Sequence, residues 1–80
     1  MSRDEIFGKV KDLCRVVFAD DELEVTSETT ARDVEMWDSL THVVLISEIE
    51  RAFGIKFKLD EMQKARNIGE LVHIVESKVR

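Results

Sequence analysis

The sequence predicts an all-α fold: a small four-helix bundle of three longer helices and one short one, with a long loop between helices 1 and 2. Three observations predict it. Apolar residues recur at helical spacing in three separate stretches. Proline and tyrosine are absent, and the only glycines, Gly8, Gly54 and Gly69, stand alone, whereas an all-β chain needs many turns. Each stretch also opens on a residue that can cap a helix: Ser2, Asp38 and Asn67. Eighty residues, 44% hydrophobic and 36% charged, fit one small globular domain over residues 1–80 with a modest core.

The first helix is expected from Ser2, because Ser2-x-x-Glu5 has the form of a capping box. Ile6, Val10, Leu13 and Val17 follow the helical period, and Phe7, Cys14 and Phe18 widen the stripe. Cys14 reads as a small buried hydrophobe. Asp20-Asp21 and the run Val25-Thr26-Ser27 end the helical signal. The connection that follows is long for so small a domain, and such loops are often functional. Within it, Thr30 to Val34 has the makings of a helical turn, with Val34 or Met36 pointing inward.

The second helix is expected from Ser39 to Phe53, capped by Asp38 and ended by Gly54 in a left-handed conformation. Its inward stripe reads Val43, Ile46, Ile49 and Phe53, with Leu45 and Ala52 beside it and Glu48, Glu50 and Arg51 outside. Leu40 and Val44 are i, i+4 neighbours at the edge of that stripe, equally suited to core and to an exposed contact surface. Ile55-Lys56-Phe57-Lys58 alternates but has no strand to pair with, so an extended connector burying Ile55 and Phe57 is expected. Leu59 to about Arg66 gives the short helix, with Leu59, Met62 and Ala65 inward. Asn67-x-x-Glu70 then opens a last helix striped by Ile68, Leu71, Val72, Val75 and Val79. Lys78 and Arg80 suit the negative end of its dipole.

The formal charge is −5, but it is unevenly placed. Eight acidic residues and one arginine, Arg32, lie between Ala19 and Asp38. That segment repels a nucleic-acid backbone and attracts basic protein surfaces. No apolar run approaches the roughly 18 residues of a membrane span. Met1 to Glu5 lacks the apolar stretch of a signal peptide, and the lone Cys14 cannot form an internal disulfide. A cytoplasmic monomer is the expectation.

Chemistry concentrates at Glu35-Met36-Trp37-Asp38-Ser39-Leu40-Thr41-His42. Asp38 can accept amide hydrogen bonds from the first turn of helix 2. Ser39 then stands at the positive end of the helix dipole, where a phosphate ester on its oxygen would be tolerated. On spacing alone, a plain cap and a covalent attachment point both fit. Ser39 and His42 are i, i+3, but Asp38 is used by the cap and no oxyanion site is apparent, which argues against nucleophilic catalysis. The histidines and cysteine lack zinc-ligand spacing, and isolated glycines do not make a phosphate-cradling loop. No enzyme signature results, and no metal site. Trp37 either folds back to close the end of the bundle or joins Leu40 and Val44 as a protein-contact patch.

Asp38-Ser39-Leu40, followed by an amphipathic helix ending Phe53-Gly54-Ile55, resembles the acyl carrier protein family. The resemblance covers essentially the whole chain, in element order as well as motif. It implies that Ser39 is the covalent attachment site of 4′-phosphopantetheine, with Asp38 as the cap beside it. It also implies a carrier of acyl or aminoacyl thioesters, with a phosphopantetheinyl transferase and acyl- or aminoacyl-loading and transferring enzymes as partners. Fatty-acid carriers usually have Gly-Ala where this chain has Met36-Trp37, and acidic residues where it has Thr41 and Val44. Peptidyl carriers tend to show a Gly-Gly that is absent here. The departures imply a free-standing carrier of a dedicated biosynthetic pathway rather than of housekeeping fatty-acid synthesis. Trp37, Leu40, His42, Val44 and Glu35 are then the expected partner contacts. The alternative is an unmodified helical adaptor that binds a basic partner.

Overall fold

The computed structural model describes residues 1–79; Arg80, expected at the end of the last helix, lies outside the described residues. Four helices follow in order: α1 (Arg3–Val17), α2 (Ser39–Phe53), α3 (Leu59–Lys64) and α4 (Ile68–Val79). The Ser2 hydroxyl accepts from the Glu5 amide, and the Glu5 carboxylate accepts from the Ser2 amide, both at 3.2 Å. This reciprocal cap fixes the start of α1. The buried side chains of α1 are Ile6, Val10 and Cys14, continued by Phe18. All four lie within the expected stripe, and its other members Leu13 and Val17 are half-buried on the flank. Burial pushes the Cys14 thiol up to about 12, so it behaves as a hydrophobe and not as a nucleophile.

α2 buries Leu45, Ile46 and Ile49. Val43, expected inside, is 49% exposed, and Ala52 is exposed too. Four consecutive apolar residues, Val43 to Ile46, blur the period, so the phase is set by Ile49 and by packing against α1. Gly54 ends the helix with φ +66°, and its amide donates to the Glu50 carbonyl. Glu50, expected outside, is half-buried: its carboxylate accepts from the Phe57 amide at 2.7 Å. That bond seats the connector, with Phe57 buried and Ile55 half-buried.

α3 contributes no buried residue of its own. Leu59, expected inward, is 69% exposed, because Phe57 already fills the core two residues earlier. Met62 is half-buried, and Ala65 beyond the helix is buried. The Asn67 side chain accepts from the Glu70 amide at 2.8 Å, and Ile68, Leu71, Val72 and Val75 complete the core.

The long loop is bound tightly to the bundle. The Ile68 amide donates to the Thr29 carbonyl and the Gly69 amide to the Ser27 carbonyl, at 3.1 and 2.8 Å. Thr30 and Asn67 form an antiparallel bridge. Val25, Thr29 and Val34 are buried, whereas Met36, the other candidate for the inward position, is 54% exposed. Thr29 is satisfied locally, its hydroxyl accepting from the Thr26 amide at 2.8 Å.

Two substitutions test these features. A Cβ on Gly69 would lie 2.9 Å from the Ser27 carbonyl oxygen. Gly69→Ala is therefore expected to destabilise the fold by about 1–3 kcal/mol in urea melts, against alanine's better helix propensity. Ala19 closes α1 with φ +54°, a conformation that favours glycine. Ala19→Gly is expected to stabilise by about 1 kcal/mol in the same assay.

Candidate functional site

The start of α2 is built by reciprocal hydrogen bonds. The Asp38 Oδ1 accepts from the amides of Leu40 and Thr41, both at 2.9 Å. The Thr41 hydroxyl accepts from the Asp38 amide at 2.8 Å and donates to the Met36 carbonyl at 2.7 Å. Thr41 therefore ties the incoming chain, Met36 to Asp38, to the helix it precedes. The Thr41 amide is the largest influence holding the Asp38 carboxyl below its usual range, with the Thr41 hydroxyl and the Leu40 amide acting in the same sense. Ser39, the first helical residue, is exposed.

Trp37 is held from beneath. It is 5% exposed and packs 5.5 Å from the Phe18 ring, centroid to centroid. Its indole Nε1–H donates to His42 Nδ1 at 3.1 Å, and the two rings lie nearly parallel. An indole nitrogen can only donate, so Nδ1 carries no proton and the ring's hydrogen sits on Nε2. That hydrogen is donated to the Met62 carbonyl at 3.0 Å. A line of two hydrogen bonds thus runs from the loop, through α2, to α3.

Among the expected contact residues, Leu40 and Val44 are 73% and 44% exposed, which settles them as surface. Glu35 is exposed as well. Of the two placements open to Trp37, the structure shows the buried one, which removes it from the contact surface: its ring closes the end of the bundle, since an apolar indole gains more from Phe18 and the core than from water. His42 is half-buried with both ring nitrogens engaged, so it acts on the surface through Trp37 and Met62 rather than as a free side chain. Sequence reasoning missed three residues. Met36 and Val43 extend the exposed apolar face beside Leu40. Thr41 was identifiable, because Asp-x-x-Thr places a hydroxyl where a capping box needs it.

An open groove of about 580 Å³ adjoins Ser39. Arg32, Trp37, Asp38, Ser39, His42, Ala65 and Arg66 border it, together with Thr30 and Ala31. Its wall is mostly apolar. It lies between the loop, the start of α2 and the α3–α4 junction. Among the described residues no cluster of histidine, cysteine and carboxylate groups is suited to a metal ion.

Two further outcomes are expected. Asp38 is more acidic folded than unfolded, so its contribution is present above the unfolded value of about 4 and is lost as pH falls through the lower folded value. An acid titration should then show the Leu40 and Thr41 amide signals moving together at low pH, and Asp38→Asn should abolish that step. His42→Phe leaves the indole N–H buried without an acceptor, so a loss of about 1–3 kcal/mol is expected in thermal melts, with Trp37→Phe in the same background restoring part of it.

This arrangement has close counterparts. A family model described as a phosphopantetheine attachment site matches residues 8–75. The acyl carrier protein of Thermotoga maritima is 36% identical over 78 residues, covering 98% of this chain and 96% of that one. The acyl carrier protein of Rubrobacter xylanophilus is 37% identical over 75 residues, covering 94% and 93%. The solution structure of a holo acyl carrier protein from Geobacter metallireducens superposes with a TM-score of 0.85 at 41% identity, covering 91% of this chain and 84% of that one. Matched over most of its length in sequence and in fold, the chain belongs to the acyl carrier proteins, carriers rather than enzymes, which hold acyl groups on a 4′-phosphopantetheine prosthetic group.

Proposed function

We propose that Ser39 is the attachment point of the 4′-phosphopantetheine arm, and that the carrier serves a dedicated biosynthetic pathway. The observation that carries the attachment is the position of Ser39. It is exposed at the first turn of α2, with Asp38 capping from the preceding position. A hydroxyl there is open to a phosphopantetheinyl transferase, and the positive end of the helix dipole tolerates the phosphodiester. The bound arm supplies a terminal thiol on which an acyl or aminoacyl group rides as a thioester. The chain itself presents that arm at a fixed place on a folded surface.

The dedicated role rests on the face beside Ser39. Leu40, Val43 and Val44 are exposed on one side of α2, and α2 has no acidic residue in its first turn. Met36 adds a further exposed apolar side chain just ahead of the helix. Loading and transferring enzymes that fit this surface need an apolar counterpart and not a basic one. Glu35 supplies an exposed acidic group at the rim. The unit of function is the domain of residues 1–80 acting as a monomer in the cytoplasm. A lone, fully buried Cys14 is in keeping with that compartment.

The attachment is tested by intact mass after co-expression with a phosphopantetheinyl transferase. A gain of one phosphopantetheine group, absent in Ser39→Ala, is expected; no gain with several transferases overturns the reading. The partner surface is tested with Val44→Glu. The fold is expected to hold with a loss of at most a few degrees in melting temperature, because Val44 lies at the surface, 44% exposed. Loading by the cognate enzyme is expected to fall about fivefold or more in kcat/KM, the equivalent of about 1 kcal/mol at a contact residue.

A further inference from the structure

We infer that Arg32 and Arg66 clamp the phosphodiester of the arm, so that at rest the arm lies in the groove between the loop and the α3–α4 junction. The inference rests on Ser39 carrying the arm. Asp38 already takes the Leu40 and Thr41 amides with its own carboxylate. A phosphodiester on Ser39 is a monoanion placed next to that carboxylate. Two like charges in contact raise each other's energy, and the two amides are no longer free to offset it. The anion is therefore drawn to cations within reach.

The groove supplies two. Arg32 and Arg66 both border it, and both Asp38 and Ser39 border it as well. Among the described residues, ion pairs join Arg3 to Glu76, Lys64 to Asp60 and Lys78 to Glu61; neither Arg32 nor Arg66 takes part in one. The carboxylate next to Arg32 in sequence, Asp33, accepts from the Thr30 amide and hydroxyl at 3.0 and 3.3 Å. The Glu70 carboxylate is turned to the Arg66 backbone amide at 3.3 Å. Two arginines in no ion pair among the described residues thus border one groove in a chain of net charge −5. Guanidinium binds phosphate through paired N–H donors.

The position has a directional consequence. At 100° per residue, His42 lies to one side of Ser39 on α2, and Leu40, Val43 and Val44 lie to the other. The groove is on the His42 side. A clamped arm is therefore turned away from the apolar face on which partners dock. Beyond the phosphate, Ala31, Trp37 and Ala65 line the same groove and would meet the apolar part of the arm. A partner engages the thiol only after drawing the arm across Ser39.

The test compares apo and holo protein by amide, indole and arginine side-chain NMR, with the holo state first verified by mass. Absence of the mass gain would count against Ser39 as the attachment point and not against the clamp. In verified holo protein, the largest shift changes are expected at Ala31, Arg32, Ala65, Arg66 and the Trp37 indole N–H. They are expected to shrink by half or more in Arg32→Gln/Arg66→Gln and to persist in Arg32→Lys/Arg66→Lys. Both arginines are exposed, and melting curves check that the variants are folded. Shift changes confined to residues 38–44, or unchanged by the double glutamine substitution, overturn the clamp.

Discussion

The placement of Ser39 depends on where Trp37 goes. An indole two residues ahead of the helix is buried against Phe18 at the end of α1, and its single polar atom is answered by His42. With the ring fixed, the peptide that follows has little freedom, and Asp38 arrives in position to cap α2. The cap then exposes the serine hydroxyl on a rigid element. Without the ring, the Thr41 hydroxyl and the Asp38 cap would be left to hold the incoming chain by themselves. Apolar burial and one relay of hydrogen bonds thus do the positioning.

The loop is the second constraint. It carries eight of the seventeen acidic residues, and its composition suggests a solvated tether. Its backbone behaves otherwise, with Ser27 and Thr29 carbonyls bonded to the first amides of α4. These are the amides that a helix start leaves without partners, so the loop caps α4 while α4 holds the loop. The close approach needs a residue without a side chain, and Gly69 provides it. Acidic side chains consequently project from a firm scaffold.

Much of this was legible. The bounds of α2, the caps at Ser2, Asp38 and Asn67, and the role of Gly54 follow from local chemistry, which acts over one helical turn. What was not legible depends on phase and on distant partners. The α1 stripe is apolar on both sides of Val10 and Cys14, so only contact with α4 and α2 selects the i, i+4 line. Val43 and Leu45 are alike in hydropathy, and only the bundle decides which one is inside. Leu59 looked inward because periodicity does not register that Phe57 already fills the core. The groove arginines carried no local signal, since Arg32 and Arg66 are brought to one groove by the long-range Thr30–Asn67 bridge. The left-handed Ala19 was hidden because the residue that usually marks such a helix end is missing there.

α3 differs from its neighbours in how it is attached. Its anchors are mostly polar or sit just outside it: the Lys78–Glu61 ion pair at 3.0 Å, the Met62 carbonyl on His42, and Phe57 and Ala65 to either side, with the half-buried Met62 side chain its one apolar hold on the core. A segment held this way separates from the rest at lower free energy than one bearing core side chains. The bundle therefore has a built-in seam. Six residues can loosen there while α1, α2 and α4 remain packed on one another. Rigidity at the serine and looseness one element away are thus assigned to different parts of the same eighty residues.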